Sequence, residues 1–393
     1  MRKFFKRKRP IQPLPFAVYY YTVLSIGLIG LFVSTYLSYS HYRVYTDVGY
    51  KSFCAISKAI NCDTVSQSAY SIFWGLPVPV WGIIGYMFLL LFLLIAKNKN
   101  AGNNRVWTLL FLVAAGFTLY SIILAVISTF YIHSYCIMCL VLYAVNLLLL
   151  FYTHMIRSRF KSGGLIDGFK KDIQFLKTKR SSVIGIFAPF FSVAILLLLF
   201  FPTYWQFAPP VLLSKTDSGI TAEGHPWIGA QNPKLIITEY TDYKCFQCKK
   251  MHFFMRQLIA KHPDKIRLVH RHFPMDHAVN PIVKEPFHVG SGKMALMAIQ
   301  AASQNKFWQI NDILFEMARE GDVIDLRELA ARLGMDPKTL ARSVNDPAAR
   351  RLLQHDILSA LKLQISGTPA FVINGNVYLA QIPPEIIRTA LAD

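Results

Sequence analysis

The chain has 393 residues, of which 53% are hydrophobic and only 16% charged, a composition too apolar for an ordinary water-soluble protein of this length. Its 42 Lys and Arg against 22 Asp and Glu give a formal charge of +20. The basic residues cluster beside apolar stretches, however, and no nucleic-acid-binding motif accompanies them, so nucleic acid is not expected as a partner. The apolar residues concentrate before residue 202, and from about 215 onward the composition is that of a domain able to bury its own core.

Five stretches, 16–39, 74–96, 106–130, 134–156 and 182–201, are long and apolar enough to cross about 30 Å of hydrocarbon. Arg2, Lys3, Lys6, Arg7, Lys8 and Arg9 precede the first. That stretch runs past the length of a leader and lacks a small-residue cleavage pattern, so it reads as an anchored helix. Basic residues number seventeen in segments 1–10, 97–105 and 157–180, against three in 40–73 and 131–135. The positive-inside rule then puts the amino terminus and the 97–105 and 157–180 connections in the cytoplasm. The 40–73 loop, the 131–135 turn and everything after the fifth span lie outside.

Six cysteines occur as three close pairs, Cys54 with Cys62, Cys136 with Cys139, and Cys245 with Cys248, and the charge-derived topology collects all of them on the outer side. Pairs this close shut small loops and do little as staples, so redox exchange is the better reading. In SYCIMCL, Cys136 and Cys139 stand one turn apart at the start of a helix, where unsatisfied amides favour a thiolate. Simple packing of soft side chains is the alternative. A zinc site half in lipid is disfavoured.

The outer segment reads FCAISKAINCDTVSQSAYSIFWGLPVPVWGIIGY. Its order of Cys, Cys-Asp, Ser, Tyr-Ser, Gly-x-Pro and Gly-x-x-Gly-Tyr, followed two helices later by C-x-x-C, resembles the vitamin K epoxide reductase family in its bacterial form over about residues 15–156. The resemblance implies a four-helix bundle holding a quinone near its outer end. It makes Cys54 and Cys62 the shuttle pair, Cys136 and Cys139 the quinone-facing pair, and Ser68 a supporting hydroxyl, with an ordinary loop serine as the alternative. Because a loop moves and a helix pair stays beside the lipid, Cys62 is expected to attack Cys136, and Cys139 to face the quinone ring. Trp74, Pro77 and Trp81 are expected to anchor and start the second span, with Trp74 also assigned to the quinone pocket.

Beyond the fifth span, residues 202–232 with Pro202, Pro209, Pro210, Gly219 and Gly224 read as a linker. KLIITEY at 234–240 reads as a buried strand and TDYKCFQCKKMHFFMRQLIAKH as the helix after it, which puts Cys245 at a helix N-terminus with Cys248 as the resolving thiol. KIRLVHRHFP is a second strand, 288–360 is helical, and SGTPAFVINGNVYLA is a strand pair turning at Asn374-Gly375. Thr368-Pro369 is either a cis step facing the thiols or an ordinary trans break. The histidines at 252, 262, 270, 272, 277 and 288 lack a ligand pattern and read as surface or packing residues, and no metal is expected.

This order of elements, with RHFPMD and KFWQINDILFE, resembles the DsbA-like branch of thioredoxin folds over about 225–393. The resemblance makes Glu239 the buried acid near the thiols, while Phe246-Gln247 departs from the proline-containing versions and leaves the redox potential open. The expected architecture is therefore an α-helical membrane bundle, a four-helix core plus a fifth transmembrane helix, followed by an α/β thioredoxin-like domain with a helical insertion. The expected division is 1–160, a connection over 161–232, and 233–393. The expected function is a quinone-dependent thiol oxidase of a bacterial cytoplasmic membrane with its thioredoxin-like domain in the periplasm. It would take electrons from reduced exported proteins, dock that domain on the 40–73 loop, and pass electrons to ubiquinone or menaquinone. The alternatives are a membrane-fed disulfide reductase or isomerase and an anchored chaperone with structural disulfides.

Overall fold

The computed structural model describes residues 14–57, 59–97, 105–160, 163–207, 216–318 and 323–392. The basic segment 1–10, Lys58, Lys99, Lys161, Pro209 and Pro210, used in the charge count and the linker reading, lie outside the described residues. The chain divides into two compact units, Met1–Tyr204 and Trp205–Asp393.

In the first unit, five helices are long and apolar enough to cross a membrane: α1 (Phe16–Thr46), α3 (Val78–Ala96), α4 (Trp107–Ile127, continued by a π-helical turn Ser128–Ile132), α5 (Ile137–Arg159) and α7 (Arg180–Phe200). Between α1 and α3 lie a short α2 (Cys62–Gln67) and a hairpin of β1 (Ile72–Phe73) and β2 (Leu76–Pro77). A further helix, α6 (Leu165–Thr178), joins α5 to α7.

Lipid is as apolar as leucine, so helices in it associate through close backbone approach and interhelical hydrogen bonds. Both devices are present. A Cβ at Gly30 of α1 would fall 2.3 Å from the Tyr86 ring of α3, so only glycine lets that ring lie flat against α1. The Tyr86 hydroxyl donates to Asn146 Oδ1 at 2.6 Å, and Asn146 Nδ2 donates to Ser121 Oγ at 2.8 Å. One amide thus ties α3, α4 and α5 together at mid-bundle. The fifth helix packs through rings, Phe187 lying 4.9 Å from Phe92 and 5.4 Å from Phe88 of α3.

The sequence ends the first span at residue 39, whereas α1 continues to Thr46. The buried stripe simply runs on through Ser40, His41, Val44 and Tyr45, at helical spacing but with polar and aromatic members that hydropathy does not count. The 40–73 segment is therefore a loop only from about residue 47.

At the opposite end of the bundle, Val106 at the start of α4 has φ 70° and offers no capping side chain. The cap comes instead from α6: Asp172, fully buried, accepts from the amides of Val106 at 2.8 Å, Thr108 at 2.9 Å and Leu109 at 3.2 Å. A carboxylate satisfies the orphan donors and complements the positive helix end.

The second unit is built on a six-stranded sheet in the order β3-β4-β6-β5-β7-β8, from β3 (Ser218–Ile220), β4 (Pro226–Gly229), β5 (Leu235–Thr241), β6 (Ile266–His272), β7 (Ala370–Ile373) and β8 (Asn376–Leu379). Only β5 and β6 run parallel, joined through α8 (Phe246–Lys261). Between β6 and β7 stand α9 (Ser291–Ala302), α10 (Phe307–Met317), α11 (Leu326–Leu333), α12 (Pro337–Ser343) and α13 (Pro347–Lys362), and α14 (Pro384–Leu391) closes the unit. Ile237, Leu268 and Phe371 are completely buried on neighbouring strands; each such side chain contributes about 1.5–3 kcal/mol.

Residues 218–229, read from the sequence as linker, instead form the two strands at one edge of the sheet. Three- and four-residue strands flanked by Pro226 and Gly229 carry too little alternation to register. Gly229 is needed where it is: φ is 116°, and a Cβ would meet the Ile266 carbonyl at 2.0 Å.

Replacing Asp172 by Ala is expected to destabilise the bundle by about 2 kcal/mol, seen as a lower thermal midpoint of the full chain in detergent, with a smaller loss for Asp172→Asn. An unchanged midpoint would show that α6 does not cap α4.

Candidate functional site

Two dithiol sites belong to the membrane unit. Cys54 and Cys62 form a disulfide with Cα atoms 5.6 Å apart. Asn61 accepts from the amides of Asp63 at 2.9 Å and Thr64 at 3.2 Å, which starts α2 at Cys62. The loop is then held to the beginning of α5 by backbone pairing: the Asn61 amide donates to the Tyr135 carbonyl at 3.0 Å and the Tyr135 amide to the Ala59 carbonyl at 2.8 Å. As a result Cys54, Cys62 and Cys136, each at most 3% exposed, share one apolar cluster with Val33 and Leu37 of α1, and Cys139 packs against it.

Cys136 and Cys139 are free thiols. Cys136 is the N-cap of α5, its Sγ accepting from the Cys139 amide at 3.3 Å. Both line a cavity of about 540 Å³ whose walls come from α1, α3, α4, α5 and α7 and are almost wholly apolar. The few polar groups facing it include His41, Ser68, Ser71, Tyr143 and Asn146. Ser68 also donates to the Val65 carbonyl at 2.8 Å. Trp74 does not line this cavity. It sits at the tip of the β1–β2 hairpin with φ 47°, 79% exposed and stacked on Phe73, and Phe73 and Trp81 line the wall instead.

The sequence does not single out His41, Ser71, Tyr143 or Asn146 among the polar wall residues. Tyr143 and Asn146 were within reach of it, since positions 139, 143 and 146 share one face of a helix. His41 was not, because it was assigned to a loop.

The third dithiol site lies in the second unit. Strand β5 delivers the chain to Cys245, the N-cap of α8, whose Sγ accepts from the Cys248 amide at 3.2 Å and lies 3.5 Å from the Thr368 carbonyl. The Thr368-Pro369 peptide is cis, and pairing of Tyr240 with Ala370 keeps it beside the thiols. Asp242 organises the turn, accepting from the Lys244 amide at 2.6 Å and the Ser291 hydroxyl at 2.9 Å. Burial pushes the Cys245 thiol up, but the hydrogen bonds from Cys248 and the nearby His288 outweigh it, and Cys245 ends below its ordinary value. Burial, and a hydrogen bond that favours the Cys245 thiolate, hold Cys248 well above its own. The two thiols thus differ in acidity, Cys245 being the more readily ionised.

Glu239 is completely buried on β5, and burial raises its carboxyl to about 7. It meets His270 Nδ1 at 2.8 Å, and His270 Nε2 lies 3.3 Å from His272 Nδ1. His252, one turn after Cys248, reaches Asp312 at 2.6 Å, and Arg256 reaches the same carboxylate at 3.0 Å. Of the six histidines read as surface or packing residues, His252, His270 and His272 are therefore buried members of a polar network under the redox helix. Their parallel pairing partners reveal the reason: Glu239 pairs with His270 and Thr241 with His272, a register that sequence does not display. His225, His355 and Asp356 also bring three donor atoms within 4.8 Å. Arg271 bonds Asp356 at 2.9 Å and His355 at 3.2 Å, so a guanidinium already serves that cluster.

If Cys248 supplies the hydrogen bonds that lower Cys245, Cys248→Ala should shift the midpoint of Cys245 alkylation to higher pH in the reduced chain. In the unsubstituted protein Cys245 should be alkylated well before Cys248; equal rates would contradict the assigned roles.

Residues 21–154 match the Vitamin K epoxide reductase family and residues 221–393 match the Thioredoxin family. Among curated relatives, Na(+)/H(+) antiporter NhaA 3 of Salinispora tropica is 28% identical over 164 residues, which is 42% of this chain and 24% of that protein. The Na(+)/H(+) antiporter NhaA of Herminiimonas arsenicoxydans is 28% identical over 148 residues, 37% of this chain and 22% of that protein. The chain thus spans about a quarter of the length of these relatives. A thioredoxin-like oxidoreductase from Silicibacter pomeroyi superposes with a TM-score of 0.37 at 23% identity, covering 44% of this chain and 92% of that one. BdbD from Bacillus subtilis superposes with a TM-score of 0.36 at 21% identity, covering 45% of this chain and 99% of that one. The chain carries a domain of the vitamin K epoxide reductase family followed by a thioredoxin-like domain.

Proposed function

We propose that the chain is a thiol oxidase that makes disulfides in exported proteins and disposes of the electrons into a membrane quinone, its electron-accepting substrate. The observation that carries this reading is the shared cluster of Cys54, Cys62 and Cys136, with Cys139 opening from it into the apolar cavity. Sulfur that must exchange with sulfur is gathered on one side of Cys136, and space for a lipid-soluble acceptor lies on the other.

The steps follow from thiol chemistry. A substrate thiolate attacks oxidised Cys245, and its second thiol resolves the mixed disulfide, leaving Cys245 and Cys248 reduced. Cys245, the more acidic of the two, then attacks the Cys54–Cys62 disulfide, and Cys248 resolves that intermediate after giving its proton to the Glu239 carboxylate. Cys62 in turn attacks Cys136 in the Cys136–Cys139 disulfide. Each exchange moves two electrons and breaks one S–S bond for each one made.

A quinone supplies a sink for two electrons and two protons. A cavity of about 540 Å³ with apolar walls and a few convergent polar groups fits a ring of that kind. Cys139 would face it, with Tyr143 and Asn146 on the same helix face as donors to carbonyl oxygens and Ser68 at the outer rim. Trp74 has no part in this reading.

The thioredoxin-like unit would lie on the outer side of a bacterial cytoplasmic membrane, with the amino terminus inside, as the distribution of basic residues favours. The short tether after α7 would raise the effective concentration of Cys245 at the 47–62 loop to the millimolar scale. The domain division proposed is a bundle over 1–160, a connection, and a thioredoxin-like domain to residue 393.

Cys139→Ala is expected to abolish quinone reduction by the full chain in nanodiscs while Cys245 and Cys248 still exchange with a reduced unfolded protein. Quinol formation at the normal rate in that variant would remove the proposed exit. In cells, the oxidase direction requires Cys245 and Cys248 to be trapped mainly as a disulfide; a mainly reduced pair would reverse the flow.

A further inference from the structure

Passing electrons from two thiols to a quinone leaves a matter of protons. The thiols release two, the quinone takes up two, and an apolar cavity holds no bulk water to carry them. A side chain that moves a proton must therefore stand in the wall and be joined to the outside.

One group meets both conditions. His41 is 1% exposed and lines the cavity from α1. Its Nε2 lies 3.4 Å from Ser71 Oγ, another wall residue, and its Nδ1 lies 2.8 Å from the Tyr204 hydroxyl. Tyr204 is half-buried just beyond the end of α7 and packs edge-on against Tyr42, itself 48% exposed. An imidazole is suited to this position, since one ring nitrogen gives up a proton while the other takes one. An ionisable side chain buried within a membrane bundle is costly unless it has such a task. Tyr204 also lies outside the 21–154 segment that matches the vitamin K epoxide reductase family, so the segment just after α7 supplies the partner.

We propose that His41 is a catalytic proton donor to the quinone, refilled from the outer surface through the Tyr204 hydroxyl; this rests on the quinone reading given above. The balance is complete. Cys136 and Cys139 lose two electrons and two protons as their S–S bond forms, and the quinone gains two of each. His41 Nε2 delivers one proton to one carbonyl oxygen while Nδ1 takes one from Tyr204, which is refilled by the thiol proton released to the outside; the other carbonyl oxygen takes the second thiol proton directly.

The titratable groups around His41 are Tyr45 on α1, with ring centroids 5.0 Å apart, and Tyr204. Across the cavity stand Tyr70 after α2, Tyr86 of α3, Tyr120 of α4, and Cys136, Cys139 and Tyr143 at the start of α5. Arg43, two residues along α1, is paired with Asp47, and Asp63 of α2 accepts from the Ser52 amide. Among these groups His41, held between Ser71 and Tyr204, is the ring that can take a proton at one nitrogen while giving one from the other.

The test uses the full chain in nanodiscs, ubiquinone-1 and menadione as probes, and three variants, His41→Gln, His41→Ala and Tyr204→Phe. Quinol formation from the reduced protein is followed by stopped flow from pH 5.5 to 8.5, the Cys136 and Cys139 states by thiol trapping, and quinone binding by tryptophan quenching. The unsubstituted rate should rise with pH as the thiolate forms. His41→Gln should bind quinone within twofold of normal and slow by about a hundredfold across the whole pH range, leaving Cys136 and Cys139 trapped as thiols. Added imidazole should restore the rate of His41→Ala, and Tyr204→Phe should slow refilling over successive turnovers.

A His41→Gln protein with the unsubstituted rate and pH profile would overturn the assignment while leaving the quinone reading in place. Loss of quinone binding in His41→Gln would make His41 a structural residue and overturn it equally. An unsubstituted Tyr204→Phe profile over many turnovers would remove the Tyr204 step. If the unsubstituted chain reduces neither quinone, both readings fall together.

Discussion

The membrane unit depends on a single patch of backbone pairing. Residues 59–61 and Tyr135 exchange two amide hydrogen bonds, and that bridge decides where the loop disulfide sits. Tyr45 of α1 adds a hydrogen bond to the Ser66 carbonyl at 3.2 Å, so the loop closed by Cys54 and Cys62 is held at both ends of α2. With the bridge in place, three sulfurs are buried in one cluster at the N-terminus of α5. Each of these sulfurs is at most 3% exposed, so the loop disulfide and the first thiol of α5 are withdrawn from water together.

The two C-x-x-C pairs show one local solution in two solvents. Cys136 and Cys245 are both N-caps, and each accepts from the amide three residues on, at 3.3 and 3.2 Å. In each case the helix end supplies an amide hydrogen bond to the first sulfur. The surroundings then differ with the partner. Around Cys139 the walls are apolar and a cavity opens. In the second unit the strands beside α8 hold a buried Glu239 and paired histidines instead.

The same contrast explains how each unit coheres. The thioredoxin-like unit gains stability by taking Ile237, Leu268 and Phe371 out of water. The bundle has no such drive in lipid and relies on Gly30 for close approach, on Asn146 for a three-helix clasp, and on the buried Asp172 carboxylate to finish α4. Loss of one polar contact therefore matters more in the first unit than its share of the contacts suggests.

Read alone, the amino-acid order determined the features that depend on neighbours along the chain. These were the five apolar spans, the strand-to-helix step that makes Cys245 an N-cap, the hairpin at Asn374-Gly375, and the pairing of cysteines into three sites, because hydropathy, helix periodicity and turn chemistry are local. Tertiary structure alone decided what depends on register and on where a helix stops. It extended α1 to Thr46 and thereby turned His41 from a loop residue into a wall of the cavity. It recruited 218–229 into the sheet, turned Trp74 outward, set Glu239 against His270, and brought Tyr204 to His41 across 163 residues. A contact between residues that far apart is settled by packing, which no pattern within a single helix or strand records.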